Sequence, residues 1–237
     1  MSWLSDAIAG FPLTPEVEEY LLRRGAKEES FNGMGVRTWD LLPESPPDPE
    51  FCRRYGARGQ YLQGMLVCPL RSPRGAVIGF EARSVSEKRV SRYLLYDAAW
   101  NPIWVGMTSV VMRKIWDGGD VWIVEGLFDL FPMEWVTPPE TVVLGTGRAK
   151  LSDKHVEFLV RFCRGMVTLV YDNDPTGQKG MHGWTEPDTG KRHWGAKNTL
   201  DRVGVMNRIF PYSGGKDPGQ IWEAGGVPAL KRAFRNL

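Results

Sequence analysis

Cysteine is nearly absent. The 237 residues hold three, Cys52, Cys68 and Cys163, widely spaced and with no Cys-x-x-Cys pair. So odd and scattered a set argues against a disulfide framework, leaves no cluster for a structural zinc ion, and fits a reducing compartment. Histidine is as rare: His155, His182 and His193 show no ligand spacing, and lone histidines are more often satisfied structural groups than metal ligands. No apolar run approaches 18 residues, so no membrane-spanning helix is expected. The first ten residues include Asp6 and no basic stretch, unlike a secretory signal. Internal repeats and low-complexity tracts are also missing. These absences lead to the expectation of a cytoplasmic chain with no membrane partner.

What is there is a globular composition, 42% hydrophobic and 24% charged, with enough apolar surface for a sizeable core. The length admits one large domain or two small ones. A net charge of +2 hides strong segmentation: −6 over residues 1–50, +8 over 51–116, −6 over 117–140 and +6 over 141–237. Two basic blocks flanking a short acidic one suit a polyanion site with a metal-binding centre better than a uniformly basic coat.

Pro15–Gly25 reads as an amphipathic helix with Val17, Tyr20 and Leu21 on one face, Thr14 as N-cap and Gly25 as its stop. A second short helix is expected around Glu28–Asn32. Residues 42–50 contain four prolines and read as a loop. Met65–Leu70 and Ala76–Arg83 flank the turn Arg71-Ser72-Pro73-Arg74-Gly75, which predicts a hairpin, with more strand through Tyr93–Tyr96. From Asp120 the texture changes. Val121–Val124, Thr141–Leu144, Val167–Tyr171 and Arg208–Phe210 are short apolar runs without alternation, separated by helical stretches such as Ser152–Arg164. That pattern predicts a mostly parallel sheet covered on both faces, where ligands lie at the carboxyl ends of the strands. Met181–Ala196, with the turn Pro187-Asp188-Thr189-Gly190, reads as a small exposed hairpin.

The chemistry-bearing residues sit at those strand ends: Glu125, Asp129, Asp172, Asp174 and Asp217. In Asp172-x-Asp174 both carboxylates point to one side, because side-chain direction alternates along a strand. Clustered hard oxygens suit Mg²⁺ or Mn²⁺, and two such ions can polarise a phosphoryl group and activate a hydroxyl. Taken singly, Asp-Asn-Asp is equally a turn and Glu125 equally a helix cap.

Val121–Leu130, V-W-I-V-E-G-L-F-D-L, resembles the first motif of the Toprim fold, and Leu169–Gly180, L-V-Y-D-N-D-P-T-G-Q-K-G, its Asp-x-Asp motif. Gly64–Arg83, Arg92-Tyr93-Leu94, Val142–Thr146, Gly215–Pro218 and Glu18–Ala26 are similar, in this order of the chain, to motifs of the DnaG-type primase catalytic core, including short phage versions. Leu95 and Met65 depart from the residues usual in that family. The resemblance implies an α/β fold: a small basic α+β subdomain over residues 1–116, then a Toprim domain, Rossmann-like and mostly parallel, over 117–237.

It further implies a primase: synthesis of short RNA primers from NTPs on a single-stranded DNA template. Glu125, Asp172 and Asp174 would be catalytic. Together with Asp129 and Asp217 they would hold two or more Mg²⁺ or Mn²⁺ ions, and no zinc. Arg83, Arg92, Lys179 and Lys216 would contact nucleotide or template. A Toprim nuclease and a non-catalytic single-strand-binding accessory are the alternatives. The first family-like motif begins near Glu18, and 19 residues follow Pro218. Neither end leaves room for a zinc module or a helicase-docking bundle. A replicative helicase, a single-strand-binding protein or a separate zinc-module polypeptide is therefore expected as a partner.

Overall fold

The computed structural model describes residues 2–86, 94–97 and 104–235. Two compact units divide the chain, Met1–Trp100 and Asn101–Leu237. The expected boundary at 116/117 assigned 101–116 to the first part. The helix Ser109–Trp116 instead buries Ile115 in the core of the second unit.

The first unit carries helices α1 (Ser2–Gly10), α2 (Pro15–Arg23), α3 (Glu28–Met34) and α4 (Pro49–Tyr55). Its antiparallel sheet has the order β1 (Arg37–Thr38), β2 (Leu66–Arg71), β3 (Val77–Arg83), β4 (Leu94–Asp97). The 71–75 turn closes β2 on β3, with Gly75 at φ 85° and its N–H donating to Ser72 O at 2.8 Å. On α2, Val17 and Leu21 are buried. Thr14 stands at the N-cap, but its hydroxyl meets Thr38 Oγ1 at 3.0 Å instead of the helix's first turn. Helices α1 and α4 were not expected. α4 follows the proline-rich loop and is started by Asp48, which accepts the Phe51 N–H at 3.0 Å, with Pro49 at the first helical position. Leu4 and Ile8 of α1 join Trp39, Phe51, Tyr55 and Phe80 in one core. There Trp39 stacks on Phe51 at 5.6 Å.

The second unit is built on a four-stranded parallel sheet of β5 (Val121–Val124), β6 (Val142–Gly145), β7 (Val167–Leu169) and β10 (Asn207–Ile209), in the order β10-β7-β5-β6. Around it lie α5 (Ser109–Trp116), α6 (Leu127–Met133), α7 (Asp153–Phe162), α8 (Pro175–His182), α9 (Ala196–Arg202) and α10 (Pro218–Ala233), the last kinked at Gly225–Gly226. Strands β8 (Gly183–Thr185) and β9 (Arg192–Trp194) form a separate antiparallel pair.

Every residue of β5 and β6 is buried, which explains the apolar runs without alternation: both faces are covered. Ile123 and Leu144 lie in a core with Ile115, Leu159 and Leu200. The neighbouring Trp122, pointing the other way, packs on Phe210 at 5.2 Å, which in turn stacks on Phe234 at 5.5 Å. Truncating fully buried Ile123 or Leu144 to Ala would cost about 2–5 kcal/mol. His155 is a satisfied structural group, buried, closing a capping box with Ser152 at the start of α7 and lying 4.3 Å from the Trp104 ring. Among the described residues no helix is long and apolar enough to cross a membrane.

The chain leaves β5 for β6 on one side, then returns to place β7 and β10 on the other. The carboxyl ends of β5 and β7 therefore face the crevice of a topological switch point, where open α/β sheets bind ligands.

Candidate metal centre

Four segments meet at this crevice. Glu125 follows β5 directly, and Asp129 lies in the first turn of α6. Asp172 follows β7 and its neighbour Tyr171, whose backbone O accepts the Tyr212 hydroxyl at 3.0 Å. Asp217 is the N-cap of α10. Asp129, Asp172 and Asp217, 88 residues apart at the extremes, each bring an oxygen within 4.8 Å of the others. Oxygens on opposite sides of an ion with 2.0–2.1 Å bonds lie about 4.2 Å apart, so a small side-chain rotation would let the three share one cation.

The remaining carboxylates border this triad. The Asp172 N–H donates to Glu125 Oε1 at 3.1 Å, which fixes Glu125 beside β7. Asp174 is the N-cap of α8; its Oδ1 accepts the N–H groups of Thr176 and Gly177, both at 2.8 Å. Lys216 reaches across, its Nζ 3.0 Å from Asp174 Oδ2 and 3.3 Å from Asp172 Oδ2. Asp172 and Asp174 thus point to the same side and are bridged by one ammonium group.

Backbone packing makes this closeness possible. A Cβ on Gly177 would lie 2.3 Å from Asp172 O and 2.7 Å from Glu125 Oε1. Only a residue without a side chain lets the first turn of α8 sit there. The 211–217 loop is tied down by Tyr212, whose single hydroxyl proton is shared between Tyr171 O and Lys216 O, the latter at 2.9 Å, and by the Asn173 N–H, which donates to Lys216 O at 2.6 Å. Tyr212 has no motif to mark it in the sequence; only its place between β10 and the late Gly-Lys-Asp signals a role.

The electrostatics combine burial with crowded like charges. Burial, then the charge of Asp172, pushes Glu125 up to about 7. Asp172 rises to about 6, from burial and then the Asp217 charge, with Lys216 opposing. Asp129 lies well above its ordinary value, through burial and then Asp217 and Asp172. Asp174 goes the other way, held low by the Gly177 N–H and then by Lys216. The Lys216 ammonium is correspondingly raised, by its hydrogen bond to Asp174 first. Asp172 Oδ1 is buried and has no hydrogen-bond partner among the described residues. Buried polar atoms are rarely left so. Hard carboxylate donors, mutual repulsion and an orphaned oxygen together fit a divalent cation.

Arg83 ends β3 in the first unit, partly buried. Lys179, on α8, sets its ammonium 5.3 Å from the Trp184 ring centroid. Arg92 lies outside the described residues.

No protein-family model matches the sequence, and no curated protein does. Solved structures do. The chain is similar to the zinc-binding and RNA polymerase domains of Aquifex aeolicus primase, at 21% identity and TM-score 0.64, over 94% of this chain and 56% of that one. It is similar to a DNA primase domain from Pseudomonas aeruginosa, at 19% identity and TM-score 0.65, over 99% and 78%. It is also similar to a DnaG primase catalytic domain bound to single-stranded DNA, at 17% identity and TM-score 0.62, over 95% and 75%. The fold of this chain therefore matches that of DnaG-type primase catalytic cores. The chain spans little more than half the length of the Aquifex protein.

Proposed function

We propose that this chain is a primase catalytic core, joining ribonucleotides on a single-stranded DNA template to make short RNA primers. One observation carries the reading: Asp129, Asp172 and Asp217 converge within 4.8 Å at the switch point of a parallel sheet, in a chain whose fold matches primase cores. Those three would hold Mg²⁺ or Mn²⁺, with Glu125 and Asp174 as flanking members. Bound there, a divalent ion supplies charge neutralisation at phosphoryl oxygens and a more acidic attacking hydroxyl.

The chain's own residues do the rest. In the reaction the 3′ oxygen of one nucleotide bonds to the α-phosphorus of the next, its proton leaves, and pyrophosphate is released. Glu125, hydrogen-bonded to the Asp172 N–H, would accept that proton. Lys216, exposed and adjacent to both Asp172 and Asp174, offers an ammonium to the triphosphate. Arg83 and Arg92 would steady template or triphosphate through charge-assisted contacts, and Lys179 would add a third cation. A helicase, single-strand-binding protein or separate zinc polypeptide would raise the effective concentration of template at the site.

The deciding experiment is incubation of the chain with single-stranded DNA, radiolabelled NTPs and Mg²⁺ or Mn²⁺. Short RNA products that vanish in Asp172→Asn support the reading. Cut template without RNA identifies a nuclease instead, and binding with neither product identifies an accessory protein; either result overturns it. Stimulation by added helicase or single-strand-binding protein tests the partners.

A further inference from the structure

Between α8 and α9, within the second unit, β8 and β9 pair with each other and with no other strand among the described residues. The neck is two glycines: a Cβ on Gly183, at φ 80°, would lie 2.3 Å from His193 O, and one on Gly195 would lie 2.2 Å from Gly183 N. With the two backbones in contact, the segment between them is a self-contained excursion. It consists of β8, β9 and a turn in which the Gly190 N–H donates to Glu186 O at 2.9 Å. Three residue pairs are too few to hold a hairpin in water by themselves.

Stacked side chains supply the difference. Trp184 lies parallel to cross-strand His193, 4.5 Å between centroids and 9° between planes, with the Lys179 ammonium 5.3 Å from the indole. His193 is held in turn by Glu186 at 2.6 Å. Trp194 has the guanidinium groups of Arg192 and Arg202 at 4.5 and 4.8 Å from its centroid. Both indoles nevertheless stay in solvent, at 38% and 44% exposure, and Lys179, Lys191, Arg192 and Arg202 are exposed beside them. Glu186, one of the hairpin's two acids, is engaged with Thr189 and His193. Exposed flat rings interleaved with cations, on an element with no core to fill, match the chemistry of a single strand. Bases stack on indole and guanidinium planes while cations meet the phosphates.

Position adds to composition. α8 begins at the Asp174 cap of the acidic cluster and ends at the hairpin neck; eight helical residues span about 12 Å. A strand lying on the hairpin would thus be delivered within a few nucleotides of the carboxylates.

We propose that the β8–β9 hairpin is a stacking platform for single-stranded nucleic acid and guides template to the acidic cluster. Its role as a template guide rests on the primase reading; its ligand class rests on the hairpin alone. The test uses the full chain and a fluorescein-labelled 20-nucleotide dT strand, read by anisotropy at several salt concentrations, with intrinsic indole emission read against unlabelled strand. Variants are Trp184→Ala, Trp194→Ala, and replacement of residues 184–194 by Gly-Ser, which the neck geometry permits without moving α8 or α9.

The parent should bind with an affinity that falls as salt rises, and bound strand should quench its indole emission. Each Trp→Ala change should weaken binding about tenfold, and the excision at least as much, while Mn²⁺ binding measured by electron paramagnetic resonance stays unchanged. An excised chain that binds Mn²⁺ and holds dT as tightly as the parent overturns the platform. So do single Trp variants with parental affinity and unquenched emission, a result available even where the excision fails to fold. Hairpin-dependent binding without RNA synthesis upholds the platform and overturns the primase reading. RNA synthesis with parental template affinity after excision does the reverse.

Discussion

Removing the Asp172 charge should stabilise the metal-free protein while weakening its hold on a divalent cation. Asp172 is raised from 3.8 to about 6 by burial and by Asp217, net of the attraction of Lys216. An acid whose folded pKa lies above its unfolded one is penalised for ionising in the folded state. The penalty is full above the folded value, shrinks as pH falls below about 6, and disappears below the unfolded value near 3.8. At about 1.4 kcal/mol per pKa unit the rise corresponds to at most about 3 kcal/mol at pH 8, and water reaching the cluster reduces it. Asp172→Asn, close in shape but uncharged, should therefore raise the melting temperature in EDTA at pH 8 by several degrees, up to roughly 10 °C. The gain should be smaller at pH 6 and small at pH 4.5. Saturating Mn²⁺ should reverse the order, because a ligand that binds only the folded parent stabilises it by mass action. Thermal denaturation at three pH values, with and without Mn²⁺, makes the comparison. A variant less stable than the parent in EDTA at pH 8, or a gap that does not change with pH, would refute the claim that Asp172 is a repelled carboxylate awaiting a cation.

Asp174→Ala should move stability the opposite way, losing about 1 kcal/mol in urea melts, since it removes the cap of α8; a gain would show the cap to be irrelevant. Gly177→Ala should cost about 3 kcal/mol and weaken Mn²⁺ binding, because its Cβ meets Asp172 backbone at 2.3 Å; parental values for both would sink the packing argument. Lys216→Met should lower the metal-free melting temperature at pH 8 yet tighten Mn²⁺ binding, since the ammonium both relieves the carboxylates and competes for them; calorimetric titration showing equal affinity would count against that competition. Arg83→Ala should weaken dT binding and leave Mn²⁺ binding unaltered, as anisotropy and paramagnetic resonance can show side by side.

The parallel sheet was legible because burial on both faces writes itself as uninterrupted runs, and Val121–Val124 and Val142–Gly145 are buried throughout. The hairpin β2–β3 was legible for a different reason: Pro73 and Gly75 punctuate two apolar stretches. Helix α1 was not, since it is ordered by what Leu4 and Ile8 bury, a tertiary effect. α4 was hidden by the prolines before it, although Asp48-Pro49 is itself a start signal. At the site, strand alternation was the expected reason for Asp172 and Asp174 to share a side, but β7 ends at Leu169, and the two are joined instead by Lys216 across the cap of α8. What local patterns could not convey is the closure of the 211–217 loop. It depends on a tyrosine hydroxyl reaching two backbone oxygens, a tertiary contact with no sequence periodicity.

The plain and the functional readings of these aspartates prove compatible. A carboxylate has two oxygens and about four acceptor sites. Asp174 uses Oδ1 to cap α8 and turns Oδ2 to Lys216. Asp217 uses Oδ1 to accept the Gln220 N–H at 2.6 Å, capping α10, and still lies in the triad. Asp129 accepts the Gly219 N–H, in the first turn of that same helix, at 3.3 Å. The N-termini of α6, α8 and α10 all open onto the cluster, and each brings the partial positive charge of a helix start, with first-turn N–H groups of α8 and α10 already taken up by these carboxylates. Those helix ends and Lys216 offset enough repulsion for the carboxylates to be gathered before any ion arrives. The raised values of Glu125, Asp129 and Asp172 reflect burial first and then the repulsion left over. That remainder is what a divalent cation would neutralise.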